Sequence, residues 1–446
     1  MTSTSPSRSS SGWFLVCIAG PDQGKRLALS NGRFVAGRGA RCHLLCDDPD
    51  VADEFATLDF DGSQLRVRAL TTLTPFIDGH PVNDASLAAG QQLRLGRSIW
   101  RIDAPGSTDT VLGFVSRIGD HLSSAAGVEK PREWNAREMF ADVTKKHADE
   151  EIESFFTVGT ATTTPALGAI DATWPKPWIF VRVFGMVLVL YVLFAYAWNQ
   201  FYNENLIPGL IMIGAVAVPL ALLIFFFEVN VPRNISLYQV VKLVLFGGLV
   251  SIVVSLFFFQ WTNLDNVLGA AAAGIIEETG KGLTLLLVVR KPRYRWTLNG
   301  LLLGAAVGTG FAVFESAGYA FRAGVDDGGS AAAMFHSITE RGLLSVLGGH
   351  VLWTGLVGAA LWRVRGDQPF RSDMLVNPKF LRVVAICMLM HMIWNYDGIN
   401  PPLYGKYVIL GAAAWLLVLG MIQDGLKQVR SAQAPTAATA PATSTT

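Results

Sequence analysis

Residues 206–227 read LIPGLIMIGAVAVPLALLIFFF, without one Asp, Glu, Lys or Arg. The stretch matches the ~20 apolar residues needed to cross a hydrocarbon core, and a buried helix of a soluble protein rarely stays uncharged for so long. From Trp178 onward, comparable stretches recur at about 179–198, 240–260, 266–290, 298–320, 342–362, 380–396 and 404–422. Eight in succession predict an all-α polytopic membrane domain of about eight transmembrane helices over 178–425. Residues 426–446 end in SAQAPTAATAPATSTT, a low-complexity tail expected to be disordered.

Across all 446 residues, 51% are apolar and 16% charged, which blends this half with a more ordinary one. Soluble proteins carry about a quarter charged residues, so a wholly soluble enzyme is excluded. A net charge of +1 offers no basic excess for nucleic acid. The N-terminal MTSTSPSRSSSG lacks the apolar core of a signal peptide. Over 12–103, short runs such as WFLVCIAG, RFVAG, ATLDF and QLRVRAL are separated by Asn31-Gly32, Asp61-Gly62 and Asp78-Gly79. This spacing predicts a small all-β sandwich. Residues 104–177 lose the pattern and read as a linker with one charged, solvated helix, REWNAREMFADVTKKHADEEIESFF. Cys42-His43-x-x-Cys46 supplies three zinc-type ligands without a fourth nearby, so a structural role is expected.

Loop charge sets the orientation. Arg290 to Trp296, RKPRYRW, and the stretch from Arg363 to Arg382 are densely basic, while the loops near Glu204, Asp265, Asp326-Asp327 and Asp397 are neutral or acidic. The positive-inside rule places the basic loops in the cytoplasm and, counting spans, both termini with them. The cysteines of the N-terminal domain then sit in a reducing compartment, where disulfides are not expected.

Ionisable groups inside membrane spans are costly, so each marks a candidate functional site. The fourth span carries Glu277, Glu278 and Lys281, and the fifth carries Phe311, Glu315 and Tyr319. The sixth carries His350, and the seventh His391-x-x-Trp394-Asn395. Counting turns brings these groups to a similar depth, within about three turns of the outer membrane face. Structural ion pairing, with Glu277 or Glu278 on Lys281 and Glu315 on an imidazole, is one reading. A transporter's proton relay is another. Two Glu, two His and an Asn at one level exceed what pairing needs. They do include a carboxylate to activate water, a second group to position it, and a His and an Asn to hold an oxyanion. HExxH and GxSxG are missing, which removes the common zinc and serine hydrolase patterns.

In these residues the sequence resembles the PrsW family of intramembrane proteases, relatives of the CAAX-prenyl-protease and bacteriocin-processing superfamily. The family pattern appears in order as Glu277-Glu278-Thr279-Gly280-Lys281, Phe311 to Glu315 to Tyr319, His350 followed by Gly358, and His391-Met392-Ile393-Trp394-Asn395. Ser316 stands where Asn is expected. The resemblance implies a multi-pass peptidase of the bacterial cell membrane acting on membrane-anchored proteins, with anti-sigma factors as the substrate class. It implies Glu277, Glu278, Glu315, His350, His391 and Asn395 as catalytic residues. In a glutamic version, Glu277 activates water with help from Glu315, while His391 and Asn395 hold the oxyanion. In a metal version, Glu315, His350 and His391 bind zinc and Glu277 is the base. The glutamic version, without a cofactor, is preferred. Glu278 points about 100° away from Glu277 on the helix.

The N-terminal domain resembles a forkhead-associated (FHA) domain through Gly37-Arg38 in RFVAGRG and through PFIDGHPVND followed by LAAGQQLRLG. It departs at Ala52 and Phe55, where the family has Ser and His, and at Asp78-Gly79, where it has Asn-Gly. The resemblance therefore implies a degenerate module that binds a cytoplasmic protein partner rather than phosphothreonine, since Asp78 would repel phosphate. The alternative to a peptidase is a catalytically silent membrane scaffold that signals through this module.

Overall fold

The computed structural model describes residues 13–88, 91–103, 109–131, 134–399 and 404–434. The chain forms two compact units, Met1–Phe114 and Val115–Thr446.

The first unit is the expected β-sandwich. Its strands are β1 (Trp13–Ala19), β2 (Arg26–Leu29), β3 (Gly32–Gly37), β4 (Leu44–Leu45), β5 (Ala56–Phe60) and β6 (Leu65–Ala69). They continue with β7 (Phe76–Ile77), β8 (His80–Pro81), β9 (Asp84–Leu87), β10 (Gln92–Leu95) and β11 (Ser98–Asp103). One sheet has the order β2-β1-β11-β10-β7-β8 and the other β4-β3-β5-β6-β9. Alternate residues face inward, so Leu58, Phe60, Leu65, Val67, Leu93, Leu95 and Trp100 share one core. Asp78-Gly79 forms the two-residue turn from β7 to β8, both residues at positive φ (47° and 85°), the conformation that such hairpins favour. Asn31-Gly32 instead carries the chain from one sheet to the other.

Buried polar groups in this unit are stitched together. Asp22 accepts from the Asp47 amide (2.6 Å) and from the Ser98 hydroxyl (2.9 Å), and it pairs with Lys25 (2.8 Å). Burial opposes ionisation of Asp22, but these hydrogen bonds outweigh it and hold its carboxyl below the usual range. The Cys-His-Cys cluster serves the backbone. Cys42 Sγ donates to the Asp53 carbonyl (3.0 Å), and His43 Nδ1 accepts from the Val35 amide (3.1 Å). Burial pushes the Cys46 thiol up to about 12, which leaves it protonated and a poor metal ligand.

The second unit is helical. Helix α1 spans Asp109–Ala126. The single charged helix expected in the linker is two short ones, α2 (Ala136–Met139) and α3 (Asp149–Phe156). Nor is it free of the membrane half, because Phe155 and Phe156 close on Phe227 at 5.9 and 5.5 Å. Apolar residues among the charges supply the reason.

Then follow α4 (Ile179–Phe201), α5 (Ile207–Val229), α6 (Leu237–Lys242), α7 (Gly248–Thr262) and α8 (Asp265–Leu268). After them come α9 (Ala272–Thr284), α10 (Leu286–Val289), α11 (Thr297–Asp326), α12 (Ala331–Ser345), α13 (Gly349–Arg365), α14 (Pro378–Asn395) and α15 (Gly405–Gln433). Glu228 at the end of α5 accepts from the amides of Trp178, Ile179 and Phe180 at 2.8–3.0 Å, capping α4.

Among the described residues, six helical segments are long and apolar enough to cross a membrane, against the eight expected, and the protein is multi-pass. The fourth and seventh expected stretches fall outside the six. The fourth breaks at Gly269, which lies at positive φ (57°), leaving α9 only 13 residues long. The expected sixth span, 342–362, straddles a second break. Gly348 and Gly349 have φ of 103° and 37°, so His350 stands in the first turn of α13 rather than mid-helix. The expected disordered tail begins as helix, since α15 runs to Gln433, and residues 435–446 lie outside the described residues.

Helices α11 and α13 touch backbone to backbone. A methyl on Gly300, Gly304 or Gly308 would collide with the carbonyl of Gly358, Thr354 or His350, respectively. Glycines four apart on one face allow this approach. Gly304→Val should therefore separate the two helices. The expected loss is at least about 1–3 kcal/mol of stability, read from thermal unfolding of the detergent-purified protein.

The Asp22 contribution to stability is fully present above the unfolded pKa of about 3.9 and is lost as pH falls through the lower folded value. Asp22→Asn should destabilise residues 13–103 at neutral pH, and the gap from wild type should shrink below about pH 3.9. Urea denaturation followed by tryptophan fluorescence measures both.

Candidate active site

On α9, side chains three and four apart share a face. Lys281 accordingly meets both carboxylates, 2.6 Å from Glu278 Oε1 and 3.9 Å from Glu277 Oε2. Its fully buried ammonium also lies 4.3 Å from the Phe311 ring centre and 2.9 Å from His350 Nδ1. From α11, Glu315 Oε2 accepts from His350 Nε2 (3.0 Å) and from Arg341 of α12 (2.6 Å). From α14, His391 Nδ1 reaches Glu278 Oε1 (3.0 Å), and His391 Nε2 lies 3.3 Å from the Asn395 amide nitrogen and 3.8 Å from Glu277 Oε2.

All six expected residues thus fall in one connected cluster. Glu277, Glu315, His350, His391 and Asn395 line a cavity of about 770 Å³, and Glu278 is buried behind them. The motif aromatics also find roles. Phe311 covers the Lys281 ammonium, and Tyr319 carries the Arg341 guanidinium 4.4 Å from its ring centre.

The donors and acceptors assign the tautomers. An ammonium can only donate, so His350 Nδ1 accepts from Lys281 and its Nε2–H donates to Glu315. A carboxylate can only accept, so His391 Nδ1–H donates to Glu278 and its Nε2 lone pair receives Asn395. Glu277 Oε2 is buried and accepts no hydrogen bond among the described residues.

Three participants were not expected from the sequence. Arg341 pairs with Glu315, and Ser316 accepts from Arg341 Nε (3.2 Å). Trp353 stacks on His391 with ring centres 4.6 Å apart. The rule that flags charge inside a membrane span would have found Arg341, because it lies in the apolar segment Ala331–Arg365. An expected span beginning at 342 left it one residue outside.

Residues 235–430 match the PrsW family. That family is described as intramembrane metalloproteases, and the matched range contains all four motifs. Residues 17–106 match the cytoplasmic domain of the inner membrane component of T3SS.

Solved structures similar to the N-terminal unit include the FHA domain of FhaA, complexed with the intracellular domain of Rv3910. It is 25% identical, covering 20% of this chain and 98% of that one, at a TM-score of 0.19. The cytoplasmic domain of the T3SS sorting platform protein PscD from P. aeruginosa is 24% identical, covering 22% and 83%, at 0.21. The FHA domain of CT664 from Chlamydia trachomatis is 16% identical, covering 20% and 95%, at 0.20. No curated protein gives a significant match. The chain thus joins an N-terminal β-sandwich matching the T3SS cytoplasmic domain model to a membrane region similar to the PrsW family.

The family description raises the question of a metal. The donor atoms that come within 4.8 Å of one another belong to Glu277, His350 and His391. Glu277 stands where Glu315 was expected in the set implied by the resemblance. A divalent cation needs free lone pairs. Here the lone pair of His350 is taken by a lysine ammonium and that of His391 by an amide, which leaves Glu277 alone free. As arranged, the residues do not fit a metal ion.

The network separates the two glutamates. Glu278→Gln breaks a buried, charged hydrogen-bond system and should cost about 3–5 kcal/mol. Glu277→Gln should leave stability close to that of wild type. Thermal unfolding of the two purified variants tests the contrast.

Proposed function

We propose that the PrsW-like region is a membrane-embedded endopeptidase that cleaves membrane-anchored proteins by carboxylate-activated attack of water. The observation that supports this is Glu277, the carboxylate of the pair that lines a cavity of about 770 Å³, and whose buried Oε2 has no hydrogen-bond partner among the described residues. Glu277 accepts the proton of the attacking water as its oxygen bonds to the scissile carbonyl carbon. Asn395, with one amide hydrogen on His391 Nε2, offers the other to the developing oxyanion. His391 itself accepts at Nε2 in this tautomer, so its part is to orient Asn395, as Glu278 orients His391. When the C–N bond breaks, Glu277 returns its proton to the leaving amine. Glu315, with Oε2 held by Arg341 and His350, keeps its second oxygen to align the water.

The PrsW resemblance supports anti-sigma factors as the substrate class and a bacterial cell membrane as the location. The basic loops at 290–295 and 363–382 support cytoplasmic termini. The FHA-like unit is proposed to bind a cytoplasmic protein. Hydrogen bonds from Gln92 and Gln91 hold the Asp78 carboxyl below its usual range, so an anion faces any phosphate brought to that turn.

Co-expression with tagged single-pass anti-sigma factors of the source organism tests the reading. Wild type should cut at least one of them, and Glu277→Gln should lower the rate on the order of 10²–10⁴-fold. The purified enzyme should keep its activity in strong chelator. No cleavage by wild type would favour the silent scaffold, and chelator inhibition would overturn the metal-free chemistry.

A further inference from the structure

Arg341 lies outside all four motifs, on a helix that none of them names. Helix α12 is capped by Ser330, whose hydroxyl accepts from the Ala333 amide (3.1 Å), and its Ile338 is fully buried. Arg341, three residues on, shares that face and turns towards α11. The Tyr191 hydroxyl meets Thr339 at 2.6 Å, tying α12 to α4, so Arg341 projects from a braced helix.

Among the described residues, the guanidinium makes its hydrogen bonds and its ring contact with α11. It donates to Glu315 Oε2 (2.6 Å) and to Ser316 Oγ (3.2 Å), and it lies over the Tyr319 ring. Ser316 is the one departure from the motif pattern, and it is the residue that accepts from Arg341 Nε. Two N–H groups of a planar fork are therefore engaged at adjacent residues of one helix, which fixes orientation as well as distance.

We propose that Arg341 is a positioning residue for the peptidase reaction, acting through Glu315; this rests on the endopeptidase reading above. Glu315 and Glu277 are two carboxylates lining one cavity. Arg341 supplies the counter-charge that keeps Glu315 turned away from Glu277 and onto His350. With Oε2 committed to Arg341 and His350, the other oxygen is the one presented to water. Without Arg341, the carboxylate is free to rotate, and the His350 Nε2–H loses its fixed acceptor.

The test uses the full-length protein in detergent and a peptide spanning the cut site that wild type makes in the co-expression experiment. Arg341→Gln should lower kcat about 10–100-fold with KM nearly unchanged, since its guanidinium, although it lines the cavity, is committed to Glu315 and Ser316. Arg341→Lys, which keeps the charge, should recover part of kcat, and Ser316→Ala should give a smaller fall. In a Glu315→Gln background, Arg341→Gln should cause little further loss. Size-exclusion profiles guard against misfolding; if Arg341→Gln aggregates, Arg341→Lys and Ser316→Ala carry the test. Wild-type kcat in Arg341→Gln, a change confined to KM, or losses that multiply with Glu315→Gln would overturn the proposal and leave the endopeptidase reading standing. A wild-type protein that cuts nothing overturns both.

Discussion

The backbone contact of α11 with α13 governs the membrane half. Gly300, Gly304 and Gly308 bring α11 onto the carbonyls of Gly358, Thr354 and His350. At these three positions no side chain separates the helices, so their spacing there is set by the peptide units themselves. His350 lies at the end of this seam, in the first turn of α13, and Glu315 lies two turns beyond Gly308 on α11. The 3.0 Å bond between His350 and Glu315 follows from that registration. The break at Gly348-Gly349 lets α13 start at the level of the cavity.

Around this seam, a lysine organises the charges. Taking an ammonium out of water is tolerable only when its donors are satisfied. Lys281 meets this condition with Glu278, His350 and the Phe311 ring. The consequence runs outward in two directions: through Glu278 to His391 and Asn395, and through His350 to Glu315 and Arg341. Both imidazoles have their lone pairs and protons assigned by these neighbours. Glu277, rather than Glu278, is the carboxylate of the pair that lines the cavity.

Much of this was legible in the chain. Charge-free runs announced a membrane domain, and Asn-Gly and Asp-Gly turns between alternating runs announced a sandwich. Ionisable residues in apolar surroundings marked the site because burying them is expensive. Boundaries were less legible. The 266–290 run read as a single span because hydropathy is blind to the positive φ at Gly269, and 342–362 did so for the same reason at Gly348. The linker read as solvated because its charges outnumber Phe155 and Phe156, yet those two rings decide where it packs.

The sequence alone determined which residues are exceptional: Glu277, Glu278, Lys281, Glu315, His350, His391 and Asn395 are the polar groups that a bilayer would exclude. Their spacing of three and four residues determined which of them share a helix face. What each does was decided only by the tertiary structure, because hydrogen-bond partners come from other helices. Glu277 and Glu278 are adjacent and chemically identical, and nothing local distinguishes a base from a support. Packing α14 and α13 against α9 gives Glu278 a lysine and a histidine and leaves Glu277 facing the cavity. Arg341, an ordinary charge in the chain, becomes part of the site because α12 lies along α11.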